Sequence, residues 1–86
     1  MFSVYILKSK KDGKLYIGST NNLVRRLKEH NSGKSASTKD RRPFVLIYCE
    51  AYFCEEEART RESNLKLRGK TRVQLMKRIC KSIAMS

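Results

Sequence analysis

Two runs rich in β-branched and aromatic residues, FSVYILK (2–8) and KLYIGS (14–19), stand either side of the short polar segment SKKDG (9–13). Val, Ile, Phe and Tyr suit a pleated, half-buried surface, and Asp12-Gly13 is a turn signal, so this stretch predicts an antiparallel hairpin. A four-residue loop from Lys10 to Gly13 would pair Ser9 with Lys14, set Tyr5 opposite Gly18 and set Tyr16 opposite Leu7. Side chains alternate along a strand, so Tyr5 and Tyr16 would then share a face as diagonal neighbours. A two-residue loop would keep them on one face but move them well apart. Gly18, beside them, would leave room for a ligand to approach the backbone.

The rest of the chain reads as cover for this hairpin. Asn21-Asn22 can cap a helix over residues 23–31, in which Leu23 and Leu27 form a narrow apolar stripe. Residues 32–42, SGKSASTKDRR, hold no apolar side chain larger than Ala. Such a loop is expected not to pack, and to cover or reach a ligand instead. Pro43 opens a third strand, FVLIYCEAY, whose dense apolar run suits a central place in a sheet. A helix is expected over about 54–67, with Glu55, Glu56 and Glu57 in the first turn, where the macrodipole favours acids. Gly69 punctuates, and a last helix is expected from near Thr71, with Val73, Met76, Ile79, Cys80 and Ile83 on one face. The order is β-β-α-β-α-α. This predicts one α+β domain over residues 1–86, a small, mostly antiparallel sheet covered by helices.

Polar residues border the apolar stripes. Arg26 and His30 are i and i+4 on the side that carries Leu23 and Leu27, and Glu62 lies four residues after Ala58, on the side marked by Ala58 and Leu65. Each has an ordinary structural reading. A strand Tyr usually packs, Arg26 would sit on a solvated helix face, His30 would be a satisfied structural imidazole, and Glu62 would pair with Arg59 or Lys66. Together, on surfaces that all turn toward one sheet, Tyr5, Tyr16, Arg26, His30 and Glu62 point to a single site.

Charge narrows the partner. Twenty Lys and Arg against eight Asp and Glu give a net charge of +12. That much positive charge costs stability by self-repulsion, so a polyanion partner is the economical explanation, and nucleic acid fits best. An anionic membrane is the rival, but the chain shows no long apolar run, signal peptide or lipidation motif. Cys49, Cys54 and Cys80 are an odd number, which argues for reduced thiols in the cytoplasm. With His30 they could in principle bind zinc, but their spacing matches no paired zinc-ligand pattern, so they read as packing cysteines.

Val4-Tyr5-Ile6 and Tyr16-Ile17-Gly18 resemble the two halves of the GIY-YIG nuclease signature. YIGSTNNLVRRLKEHNSGKS (16–35) is similar to that family's hairpin-to-helix segment, RRPFVLIYCEAY (41–52) to its third strand, and EEARTRESNLK (56–66) to its metal-binding helix. Ser3 stands where the nominal signature has Gly. The resemblance implies a three-stranded antiparallel sheet flanked by helices, a metal-dependent endonuclease acting on DNA, or RNA, with weak sequence selectivity, and one Mg²⁺ or Mn²⁺. Among family members the chain looks most like the small stand-alone bacterial proteins.

The resemblance by position, with the chemistry of phosphodiester cleavage, suggests roles. Glu62 would be the metal ligand and Arg26 the cation on the scissile phosphate. Either Tyr5 or Tyr16 would be the general base; with Tyr5 favoured, Tyr16 would position phosphate or water, and His30 would orient Tyr5 or relay its proton. Lys34, Lys39, Arg41 and Arg42 would hold the nucleic-acid backbone near the site, and Lys66, Arg68, Lys70 and Arg72 would extend the track. A protein partner could supply specificity. The rival reading is a nucleic-acid-binding module that kept the fold and lost activity.

Overall fold

The computed structural model describes residues 1–86. Strands β1 (Phe2–Ser9) and β2 (Leu15–Thr20) are followed by helix α1 (Leu23–Ser32), a short 3-10 turn (Lys39–Arg41), strand β3 (Phe44–Tyr52) and helices α2 (Glu55–Leu67), α3 (Gly69–Arg78) and α4 (Cys80–Met85). The three strands form one antiparallel sheet in the order β2-β1-β3. The hairpin adopts the four-residue loop: Ser9 N–H donates to Lys14 O at 2.9 Å, Tyr5 lies opposite Gly18, and Leu7 opposite Tyr16. Asp12 fixes this turn by accepting from the Lys14 N–H and from Arg41 Nε, at 2.9 and 3.0 Å.

Alternation along β1 feeds two apolar layers. Val4 and Ile6 point to one face and pack with Ala58 and Leu65 of α2, Leu75 of α3, and Ile79 between α3 and α4. Tyr5 and Leu7 point to the other and pack with Phe44, Tyr16, Leu23 and Leu27 under α1. At about 25 cal/mol per Å² of apolar surface, a central strand covered on both faces contributes more burial per residue than either edge.

That two-sided cover corrects the expectation for β3, which is an edge strand rather than the centre. Helix α1 covers Tyr5, Leu7 and the start of β3 at Phe44, but leaves Leu46, Cys49 and Ala51 exposed. A β-bulge between Ile6 and Leu7 puts Ile47 and Tyr48 of β3 against the α2–α3 layer together. Beyond Phe44, the apolar run of β3 therefore packs on one face.

The last helix also differs. It begins at Gly69, directly after Arg68 closes α2, and breaks at Ile79, whose backbone leaves helical values at φ −110° and ψ 17°. Leu75 and Ile79 are the buried residues, whereas Val73 is half-exposed and Cys80 exposed. All three cysteines are exposed and unbonded, so none packs, and none approaches His30 as a metal ligand would. No helix is long and apolar enough to cross a membrane.

Candidate active site

Helix α1 carries two of the candidate side chains and is fixed at both ends. The Asn22 side chain accepts from the Arg25 N–H at 3.0 Å, and Gly33, at φ 84°, closes the helix in the left-handed conformation that suits glycine. Asn31 then ties the helix to the sheet, donating to Phe44 O at 3.1 Å and accepting from Phe44 N–H at 2.7 Å. With both ends held, His30 points down onto the strands and is fully buried.

His30 makes two bonds. Its Nε2 lies 2.9 Å from Tyr5 Oη, and its Nδ1 lies 2.8 Å from Thr38 Oγ1. Burial first, and the Arg26 charge second, push the imidazole below its ordinary value, so it is neutral near neutral pH. Burial pushes the Tyr5 phenol the other way, up to about 12, against the opposing pull of the Arg26 guanidinium. A neutral phenol and a neutral imidazole satisfy both bonds when Tyr5 donates to Nε2 and Nδ1–H donates to Thr38. Only 1% of Tyr5 is exposed, and desolvation outweighs the pull of Arg26.

Tyr16 completes the aromatic wall. Its ring centroid is 4.9 Å from that of His30 and 6.4 Å from that of Tyr5. Gly18 makes the arrangement sterically feasible. A Cβ there would come within 2.5 Å of Tyr5 Oη, so the room expected for a ligand at Gly18 is filled by the phenol itself. Arg26 stands half-exposed beside this wall, braced by Glu29 at 3.2 Å. Burial works against its charge, but the Glu29 carboxylate and the Tyr5 phenol outweigh that cost.

Glu62 reaches the site from the opposite layer. Ser19 lies opposite Val4 and so shares the face covered by α2; its hydroxyl donates to Glu62 Oε1 at 2.5 Å. Lys66 holds the other oxygen at 2.7 Å. The Glu62 carboxylate is near enough to help raise the Tyr5 phenol. Four candidates thus share one face of the sheet, and the fifth stands across edge strand β2.

The donor set suits a hard divalent ion. A lone carboxylate, partly open to solvent with 21% of its side chain exposed, can anchor Mg²⁺ while water and phosphate fill the remaining places. A cation already sits against it in the form of the Lys66 ammonium. Only Glu62 of the five would hold such an ion.

The basic residues divide into two groups. Lys34, Lys39, Lys66, Arg68 and Lys70 stand exposed on the surface, Lys66 with a bond to Glu62. Arg41 is committed internally to Asp12 and lies over the Phe44 ring at 5.5 Å; Arg42 donates to Lys39 O at 2.7 Å; and Arg72 donates to Leu65 O and Lys66 O at 3.3 and 2.9 Å. Arg42 and Arg72 are exposed and each commits a single nitrogen, so their other donors stay at the surface, whereas Arg41 is half-buried.

The 32–42 segment also packs, contrary to expectation. Ser35 and Thr38 are buried, Ser9 Oγ donates to Arg41 O at 2.6 Å, and Lys11 Nζ donates to Asp40 O at 2.9 Å. Its lack of large apolar side chains concealed this, because it is held by hydrogen bonds. Thr38 and Ser19, partners of His30 and Glu62, were not singled out from the sequence. The one available signal was chemical: a buried imidazole needs a partner on each nitrogen, and the hydroxyl-rich segment after α1 is a natural source.

A family model described as the GIY-YIG catalytic domain matches residues 1–77. A UPF0213 protein of Staphylococcus haemolyticus is 48% identical over 64 residues, covering 73% of this chain and 77% of that protein. A UPF0213 protein of Staphylococcus epidermidis is 44% identical over 77 residues, covering 88% and 90%. The solution NMR structure of a UPF0213 protein from Bacillus halodurans aligns with a TM-score of 0.56 at 40% identity, covering 90% of this chain and 84% of that one.

Proposed function

The chain belongs to the GIY-YIG catalytic-domain family, and from that premise we propose that it is a metal-dependent endonuclease that hydrolyses phosphodiester bonds in nucleic acid, DNA in the first instance. The observation that carries this reading is the bond from Tyr5 Oη to His30 Nε2, set beside Arg26 and across β2 from Glu62.

A phenol held near 12 is a weak base on its own, but it is well placed to pass protons. As Tyr5 Oη takes a proton from the attacking water, its own proton moves to His30 Nε2. The resulting imidazolium keeps Nδ1–H on Thr38 Oγ1. Tyr5 and His30 thus work as a pair, and the hydroxide attacks phosphorus in line. Arg26, held in place by Glu29, presents its planar fork to the non-bridging oxygens, where charge builds. Tyr16, half-buried against His30, orients the phosphate or the water. Glu62 would hold one Mg²⁺ or Mn²⁺, which when bound polarises the phosphate and stabilises the leaving oxygen. Ser19 fixes the carboxylate, and Lys66 must turn away from it to make room.

The test is cleavage of single-stranded, duplex and branched DNA, and of RNA, at low salt with Mg²⁺, Mn²⁺ or chelator. Metal-dependent cutting of at least one substrate is expected. Binding to all of them with cutting of none would leave a silent nucleic-acid-binding module.

A further inference from the structure

A groove of about 640 Å³ runs along the outer edge of β2. Leu15, Tyr16 and Ile17 all line it, although consecutive strand residues point to opposite faces, so the groove spans the edge itself. In the sheet order β2-β1-β3 this edge pairs with no strand, which leaves backbone donors and acceptors along one wall. Val73 and Met76 of α3 form the apolar floor, and Lys66, Arg72 and Lys77 line the rim with no carboxylate among the lining residues. Arg72 is held by the last carbonyls of α2, and both it and Lys77 are exposed.

Two lining residues join the groove to the candidate active site. Tyr16 packs against His30, and Lys66 bonds Glu62. An occupant must therefore be flat and apolar on its faces, hydrogen-bonding at its rim, and attached to an anion that continues toward Arg26. We propose that this groove is a subsite for an unstacked nucleobase of the strand whose phosphate lies at Tyr5, Arg26 and Glu62. A base in a duplex would have to leave its stack to enter, whereas a single strand, loop or end presents one at little cost. The substrate class is then nucleic acid with an unpaired nucleotide beside the scissile phosphate. The assignment of that phosphate rests on the nuclease reading, whereas the base subsite is measured by binding alone.

The experiment compares a short single-stranded DNA with its abasic counterpart, which keeps every phosphate and lacks the bases, in chelator. Binding is measured to the wild type and to Val73→Glu, a change at a half-exposed position, and the Met76 methyl resonance is followed in the wild type. The intact strand should bind about ten-fold tighter or more, Val73→Glu should erase the difference, and only the intact strand should move the Met76 methyl. Equal binding of both strands, a difference that Val73→Glu leaves intact, or an unmoved Met76 methyl would each overturn the proposal. Discrimination without cutting of any substrate would sink the nuclease reading alone, and cutting without discrimination would sink the groove alone.

Discussion

At Tyr5 the proposed chemistry depends on one proton and where it can go. Tyr5→Phe removes the hydroxyl between water and His30 while keeping the ring that fills the space over Gly18. Cleavage should fall by roughly 10²- to 10⁴-fold, with nucleic-acid affinity little changed, as single-turnover rates and binding isotherms would show. The same change strips a buried Nε2 of its partner and should cost about 1–3 kcal/mol in urea unfolding. His30 sets the pH dependence. Its pKa is held below the ordinary 6.5, so the unfolded chain binds the proton more readily. Its contribution to stability should be complete above about pH 6.5 and be lost as pH falls toward the lower folded value. Activity should fall over the same limb, because a protonated Nε2 accepts nothing; His30→Gln should flatten the stability limb. The spacing of Tyr5, Tyr16, Arg26 and His30 in the sequence was enough to bring them onto one face. Thr38 was illegible because nothing in SGKSASTKD fixes which hydroxyl meets the imidazole.

At the scale of elements, Glu62 is only as well placed as α2. That helix is tied to edge strand β3 by Arg61, which grips Glu50 through Nε and Nη2, each within 3.0 Å of a carboxylate oxygen, while Tyr48 and Tyr52 donate to the same carboxylate at 2.6 and 2.7 Å. Burial alone would raise the Glu50 pKa; Arg61 and the two phenols together lower it. Its contribution to stability is therefore present above the ordinary carboxylate value and lost as pH falls through the lower folded value. Arg61→Ala should destabilise by about 1–3 kcal/mol, toward the low end because the pair is partly solvated. Denaturant titration beside a metal-binding isotherm would show whether loosening α2 also weakens the Glu62 site. Gly18→Ala belongs to this scale too. Its methyl would collide with Tyr5, pushing the phenol off His30, with loss of both stability and cleavage. Helix and strand identities were legible because period and caps are local. The edge position of β3 was not, because Leu46, Cys49 and Ala51 look like core residues until α1 is seen to stop short of them. The break at Ile79 was equally hidden, since apolar spacing continues across it.

Over the whole molecule, a net charge of +12 supplies the long-range attraction for a polyanion. Total charge was legible from composition, but the availability of each cation was not. Nothing in the spacing shows that Arg41 and Arg72 are held by Asp12 and by helix-end carbonyls. Cations outside such bonds should therefore behave differently from these. Lys70→Ala should lower the dependence of log K on log salt by about one unit with stability unchanged, whereas Arg41→Ala should destabilise the fold. Both are read from binding over a salt series beside thermal unfolding. The proposed nuclease joins these scales: the field gathers the strand, the two layers bracket β2, and Glu62 would complete the site from the far side. Its most direct test is single-turnover cleavage by wild type and Glu62→Gln in Mg²⁺ at saturating nucleic acid. Loss of roughly 10³-fold or more in the variant, with unchanged nucleic-acid affinity, is the expected result. Cleavage at the wild-type rate by Glu62→Gln would contradict it.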